Sequence, residues 1–256
     1  MKKVFSIREA LSDSWKLIKN ENLFLIDGVF ILYLIALFLQ SLFIKGGLGS
    51  VIQLSIGVIF GLGITKMALQ IADGEEPGLD SFTGQMSKFF KMLLANILVS
   101  LPMVVPVLIF IVGLMAKIST MPGIADKPEY RELGKLAAMP EVANNASTFI
   151  IVGLLLFIPA IYLSIRWMFY PYLIVDKGCG AMESIKKSME LTRSHAGHLV
   201  LLYLSNIAIV ILGVAAFLIG LFVSIPLIYM MQTLIYRKLE KANSKADSGF
   251  EEITLG

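Results

Sequence analysis

An all-α integral membrane fold is what this 256-residue chain predicts: six transmembrane helices in three units, each an amphipathic helix followed by a membrane hairpin. Three observations carry that prediction. The composition is 57% hydrophobic and 16% charged, against about 45–50% and about 25% in soluble domains. At least five runs exceed the length of roughly 18 apolar residues that reads as a span, because about 20 helical residues cross a hydrocarbon core of about 30 Å. A charged, amphipathic segment precedes each odd-numbered run.

Span 1 covers about residues 23–44, with Gly46, Gly47 and Gly49 marking a turn. It begins well after Met1 and lacks a small-x-small cleavage pattern, so it reads as a retained span and not a removable signal. Span 2 covers about 51–71 and closes at the turn signal "ADGEEPG". Span 3, about 92–116, contains Pro102 and Pro106; span 4, about 149–175, contains Pro159 and Pro171. Each proline removes an intrahelical donor, so kinks are expected there. The apolar stretch 198–236 is too long for one span and fits two, spans 5 and 6, joined near Gly213 to Gly220.

The bases set the orientation. Sixteen Lys and Arg fall in the segments on the N-terminal side and five in the opposite loops, which predicts both termini in the cytoplasm. The outer loop, 117–147, is predicted to hold a short surface helix starting at Pro128. Residues 1–240 thus form a six-span membrane domain, and 241–256 a flexible cytoplasmic tail. The location implied is the cell membrane.

The amphipathic segments lie at about 4–20, 79–91 and 180–193. In the first, Val4, Ile7, Leu11, Trp15 and Ile18 step by three and four, as one helical face requires. Leu79, Phe82, Met86, Phe89 and Leu93 repeat the steps before span 3, and Met182, Ile185 and Met189 before span 5. Ser14 to Asn20 aligns with Ser188 to Ser194. Such helices suit a lipid interface, apolar stripe down and bases near anionic headgroups; packing on the spans is the plainer alternative. Lys186, Lys187 and Arg193 are the candidate headgroup contacts.

Residues 166–202, "RWMFYPYLIVDKGCGAMESIKKSMELTRSHAGHLVLL", resemble a signature region of prokaryotic membrane proteins. That group includes the membrane region attached to some glycerophosphoryl diester phosphodiesterases and the YciC-like proteins. Arg166, Pro171, Asp176, Gly178, Ser188, Leu191 and Arg193 fit its pattern, and residues 63–82 look like its second hairpin junction. The resemblance implies a membrane fold. It implies no phosphodiesterase activity, because the soluble domain with its metal carboxylates is absent from the chain.

Three charges fall within spans: Asp27, Lys66 and Arg166. Each costs about 2.5–3.5 kcal/mol on insertion scales, which makes it a functional candidate. An internal ion-pair network with snorkelling is the leading reading of the three, with Arg166 neutralising Asp27; a substrate or proton pathway is the second and lipid headgroup binding the third. His195 and His198 share a helical face but have no accompanying cysteine pair or carboxylate, a poor basis for a metal site. The single Cys179 excludes an intramolecular disulfide; it reads as a small turn residue, with juxtamembrane palmitoylation the alternative. Gly57 and Gly61 show the small-xxx-small spacing of close helix contact. Asn96 and Asn206 are read as interhelical hydrogen-bond formers.

No catalytic residue, cofactor site or metal site is predicted, and no nucleic-acid partner; membrane lipids are the expected partner. The expected role is that of a non-enzymatic integral membrane protein with a membrane-organising or accessory function. The alternative is a small transporter or permease using Asp27, Lys66 and Arg166. A membrane enzyme acting on lipids ranks third.

Overall fold

The computed structural model describes residues 6–19, 23–44, 46–78, 80–119, 144–216 and 220–254. Every regular element among them is helical. In chain order these are α1 (Ile7–Leu17), α2 (Leu23–Phe43), α3 (Gly46–Asp73), α4 (Asp80–Thr83) and α5 (Phe89–Ser119). There follow α6 (Ala146–Trp167), α7 (Tyr170–Lys177), α8 (Ala181–Thr192), α9 (Ala196–Ala215) and α10 (Leu221–Thr254). Single 3-10 turns occupy Met86–Lys88 and Arg193–His195.

Among the described residues, five stretches are long and apolar enough to cross a membrane: Ile26–Phe43, Gly46–Asp73, Asp80–Ile118, Ala146–Lys177 and Ala181–Ala215. The chain divides into two compact units, one of Met1–Ala95 with Arg166–Gly256 and one of Asn96–Ile165.

In the first unit α10 is the central helix. It packs against α1, α2, α3, α8 and α9, and buries Met230, Met231, Thr233, Ile235, Tyr236 and Leu239 completely. Ile18, Ile26, Ile64, Ala68, Ile71, Leu227 and Met230 form one apolar cluster that ties α1, α2, α3 and α10 together. Lipid is as apolar as leucine, so such helices associate through close packing and hydrogen bonds more than through a hydrophobic drive. The small residues on the contact faces follow from this. Ala10 and Ser14 of α1 are fully buried, as are Ser184, Ser188 and Thr192 of α8. The aligned Ser14 and Ser188 therefore occupy matching buried positions.

The second unit is a hairpin of the parts of α5 and α6 that it contains. A Cβ on Gly113 would lie 2.8 Å from the Ile150 nitrogen, and one on Gly153 would lie 2.9 Å from the Phe110 nitrogen. These two glycines let the backbones approach. The expected pair does not: Gly61 has open space, and a Cβ on Gly57 would make only ordinary contact with the Tyr33 hydroxyl at 3.8 Å.

Three further expectations are corrected. Segment 79–91 is not one amphipathic helix but α4, a turn, a 3-10 turn and the start of α5. The Phe82 ring occupies the space where a Gly63 side chain would begin, which pulls α4 back against α3. Pro171 does not kink a helix; it sits in the first turn of α7, after α6 has ended at Trp167. Among the described residues the apolar part of α10 covers Leu221 to Tyr236 and is not one of the five stretches of spanning length. That helix also runs on to Thr254, through most of the segment expected as a tail, where Glu, Lys and Ala favour helix. The 117–147 loop helix at Pro128, the stripe residues Val4 and Leu79, and residues 255–256 lie outside the described residues.

Gly178 ends α7 with φ +67°, a left-handed conformation that a Cβ disfavours. Its N–H donates to Ile174 O at 3.1 Å and that of Cys179 to Leu173 O at 3.3 Å, so two last-turn carbonyls are satisfied. Gly178→Ala is expected to cost about 1 kcal/mol, read as a fall of a few degrees in the melting temperature of the detergent-purified chain. An unchanged melt would mean that the turn relaxes freely.

Candidate functional site

At one end of the first unit, Arg237 of α10 gathers three carboxylates. Its Nε donates to Asp73 Oδ1 at 3.0 Å, its Nη1 to Asp176 Oδ2 at 2.9 Å and its Nη1 also to Glu240 Oε2 at 3.0 Å. Nη2 adds bonds to Asp73 Oδ2 and, at 3.2 Å, to Asp176 Oδ1. One guanidinium therefore joins the end of α3, the end of α7 and the middle of α10. Its planar fork is suited to this, since two carboxylates are each held at two points.

Lys177 pairs with Glu240 and lies 3.5 Å from Asp176. The Tyr236 hydroxyl donates to Asp176 Oδ2 at 3.0 Å. Burial works against the Arg237 charge, but the hydrogen bonds with Asp176 and Asp73 outweigh it and hold the pKa above its ordinary value. Beneath the charges, Tyr236 stacks on Tyr172 at 5.3 Å, with Phe169 6.0 Å from Tyr236.

The C-terminal end of α7 receives two more bases from the chain before α5 and its first turn. Lys88 Nζ donates to Val175 O at 2.6 Å and Lys91 Nζ to Gly178 O at 2.7 Å. Cations belong at such an end, where backbone carbonyls lack intrahelical partners.

The gap between α6 and α7 leaves backbone groups that α8 satisfies. Ser188 Oγ donates to Arg166 O at 2.9 Å and accepts from the Phe169 N–H at 3.2 Å. Thr192 Oγ1 also reaches Arg166 O, at 3.2 Å. The Arg166 guanidinium in turn donates from Nη2 to Met189 O in the last turn of α8. This explains a serine in the middle of that segment: it is the clamp of a helix break about twenty residues upstream.

Among the described residues no ion pair links Asp27, Lys66 and Arg166. Arg166 is committed to α8, whereas Asp27 follows Ile26 of the apolar cluster and its Oδ1 is buried without a hydrogen-bond partner. The Asn206 oxygen, expected to bridge helices, is likewise buried and unmatched.

Lys186, Lys187 and Arg193 are all exposed, but Lys187 is held by Glu183 at 2.7 Å. Ile185, expected to face lipid, is buried in the protein, and Met182 is 52% exposed instead. In α1 the outward residues are Leu11 and Trp15, the latter 47% exposed. Both helices therefore dock by their small face and turn apolar side chains outward. Cys179 is buried, 3.6 Å from Lys187 Nζ.

Along α2 and α3 runs an apolar groove of about 300 Å³. Val29, Leu32 and Tyr33 face Ile56, Ile59 and Phe60 across it, and Phe82 also lines it. Tyr33 and Phe60 stack at 4.2 Å.

Sequence reasoning counted Arg237 only among the bases and missed the glycines of the second unit. "Tyr-Arg" directly after an apolar run, with Glu three residues on, was the available signal for Arg237.

Apolar helices of spanning length, wrapped around a central helix whose charged end is locked by ion pairs, define an all-helical, multi-pass membrane protein. The chain belongs to the DUF975 family, described as "Protein of unknown function", whose pattern matches residues 6–243. Neither the curated proteins nor the solved structures give a match. This match shows no link to the phosphodiesterase-associated group.

Proposed function

We propose that this protein is a non-enzymatic component of the cell membrane, with six spans and both termini cytoplasmic, that organises lipid or assists other membrane proteins. The sixth span in this reading is the short, buried Leu221–Tyr236 part of α10. One observation carries the reading. Helices α1 and α8 both pack on α10 and turn apolar and basic side chains outward, Leu11, Trp15 and Lys16 on one and Met182 and Lys186 on the other. Such a pair suits an anionic lipid surface, where each base contributes about 1 kcal/mol.

The test uses the full chain reconstituted in phosphatidylglycerol vesicles. The wild type is expected to slow diffusion of labelled anionic lipid, and Trp15→Ser with Lys186→Gln to relieve that slowing. Equal diffusion with and without protein would reject the organising role. Topology is tested separately: reporter fusions after Lys45 and near Lys127 are expected outside, and fusions after Asp73 and Lys187 inside. A cytoplasmic signal near Lys127 would overturn the six-span arrangement.

A second reading, a small transporter using Asp27, Lys66 and Arg166, is favoured by the unpartnered Asp27 oxygen. It predicts proton or solute flux in the same vesicles, abolished by Asp27→Asn. No flux above protein-free vesicles would remove it.

A further inference from the structure

The apolar groove between α2 and α3 has a base two helical turns along α3 from its lining residue Ile59. Ile59 and Lys66 are seven residues apart on α3, two turns along one side of the helix. Gly63, between them, is covered by Phe82, which also lines the groove. Lys66 is half-buried and within repelling distance of Lys88. No described hydrogen bond or ion pair engages Lys66. Lys88 gives its protons to Gln85 Oε1 and Val175 O, neither of them charged. Asp176, the acidic side chain whose field reaches Lys88, is already taken up by Arg237, Lys177 and Tyr236.

Two neighbouring ammonium groups without a carboxylate of their own call for an anion. The groove has an apolar lining and lies along helices of spanning length. We propose that this groove is a binding site for one anionic diacyl phospholipid, its phosphate at Lys66 and Lys88 and one acyl chain between Tyr33, Ile59 and Phe60. The charge selects the headgroup and the groove selects the chain. This deepens the lipid-organising reading and rests on the protein being membrane-embedded; it gives that role a specific bound lipid, at a place separate from α1 and α8.

Native mass spectrometry of the full chain, purified in mild detergent with equal amounts of phosphatidylglycerol and phosphatidylcholine, tests it. The wild type is expected to retain one phosphatidylglycerol in preference. Lys66→Gln is expected to reduce that preference about fivefold, as for the loss of one base at an acidic lipid surface. Ile59→Trp, which fills the groove, is expected to reduce retention of both lipids, and Lys241→Gln, at an exposed position of α10, to leave it unchanged. Soluble glycerol phosphate is expected not to compete; effective competition would replace the lipid site with a plain phosphate site and overturn the proposal. Equal retention of the two lipids by the wild type, which requires no variant, would also overturn it. A chain extracted from cell membranes by alkaline carbonate would sink the membrane reading itself, an outcome distinct from an embedded chain that retains no lipid.

Discussion

Arg237→Ala is expected to lower stability by about 2–3 kcal/mol, a fall in melting temperature of roughly 5–10 °C. The substitution leaves Asp73, Asp176 and Glu240 facing one another, with Lys177 as the base paired to them. Removing one partner of a fully buried pair costs about 3–5 kcal/mol. Arg237 keeps 19% of its side chain exposed and Asp73 keeps 39%, so water offsets part of that. Arg237→Lys is expected to recover less than half, because an ammonium cannot hold two carboxylates at two points each. Combining Arg237→Ala with Asp176→Asn is expected to recover part of the loss, since fewer charges are stranded. Melting of detergent-purified variants decides this; a double variant whose loss equals the sum of the singles would show that Arg237 and Asp176 act independently.

The second large effect is expected at Ser188. Replacing it with alanine strands the Phe169 N–H in a fully buried setting, at a cost of about 1–3 kcal/mol. Arg166 O keeps its bond from Thr192 and loses less. The aligned Ser14 supplies the control. Its hydroxyl donates only to Ala10 O within α1, so Ser14→Ala is expected to shift stability by less than about 0.5 kcal/mol. Equal melts for the two alanine variants would mean that both serines are buried for size alone.

The contrast shows where sequence reading stops. The positions of spans 1 to 4, the turn between α9 and α10 and the alignment of Ser14 with Ser188 were legible, because they depend on local apolar runs and helical period. The work of Ser188 was not, since its partners lie in another helix. Pro171 looked like a kink because the ring removes a donor; that it opens a new helix depends on the polar groups of α8. The outward faces of α1 and α8 were also misassigned in part. Leu11, Trp15 and Met182 of the expected stripes are exposed, but Ile18 and Ile185 of the same stripes are buried in the protein beside the small residues through which these helices pack. Arg237 was hidden for a related reason: Asp73 lies more than a hundred and fifty residues away in the chain. The charges inside the spans drew attention by their cost.

The docking of α1 on α10 also sets an order of events during synthesis. The first helix of the chain finds its partner in the last, and Asp13 meets Lys238 at 3.9 Å across roughly two hundred residues of intervening chain. At about 5–20 residues per second, ribosomal synthesis leaves α1 waiting some 10–40 s for α10. During that interval the face carrying Ala10 and Ser14 has nothing to pack on, while Leu11 and Trp15 already suit a lipid surface. On the proposed lipid-facing reading, the outward stripe would give the nascent chain a holding face that keeps α1 at the bilayer until α10 arrives.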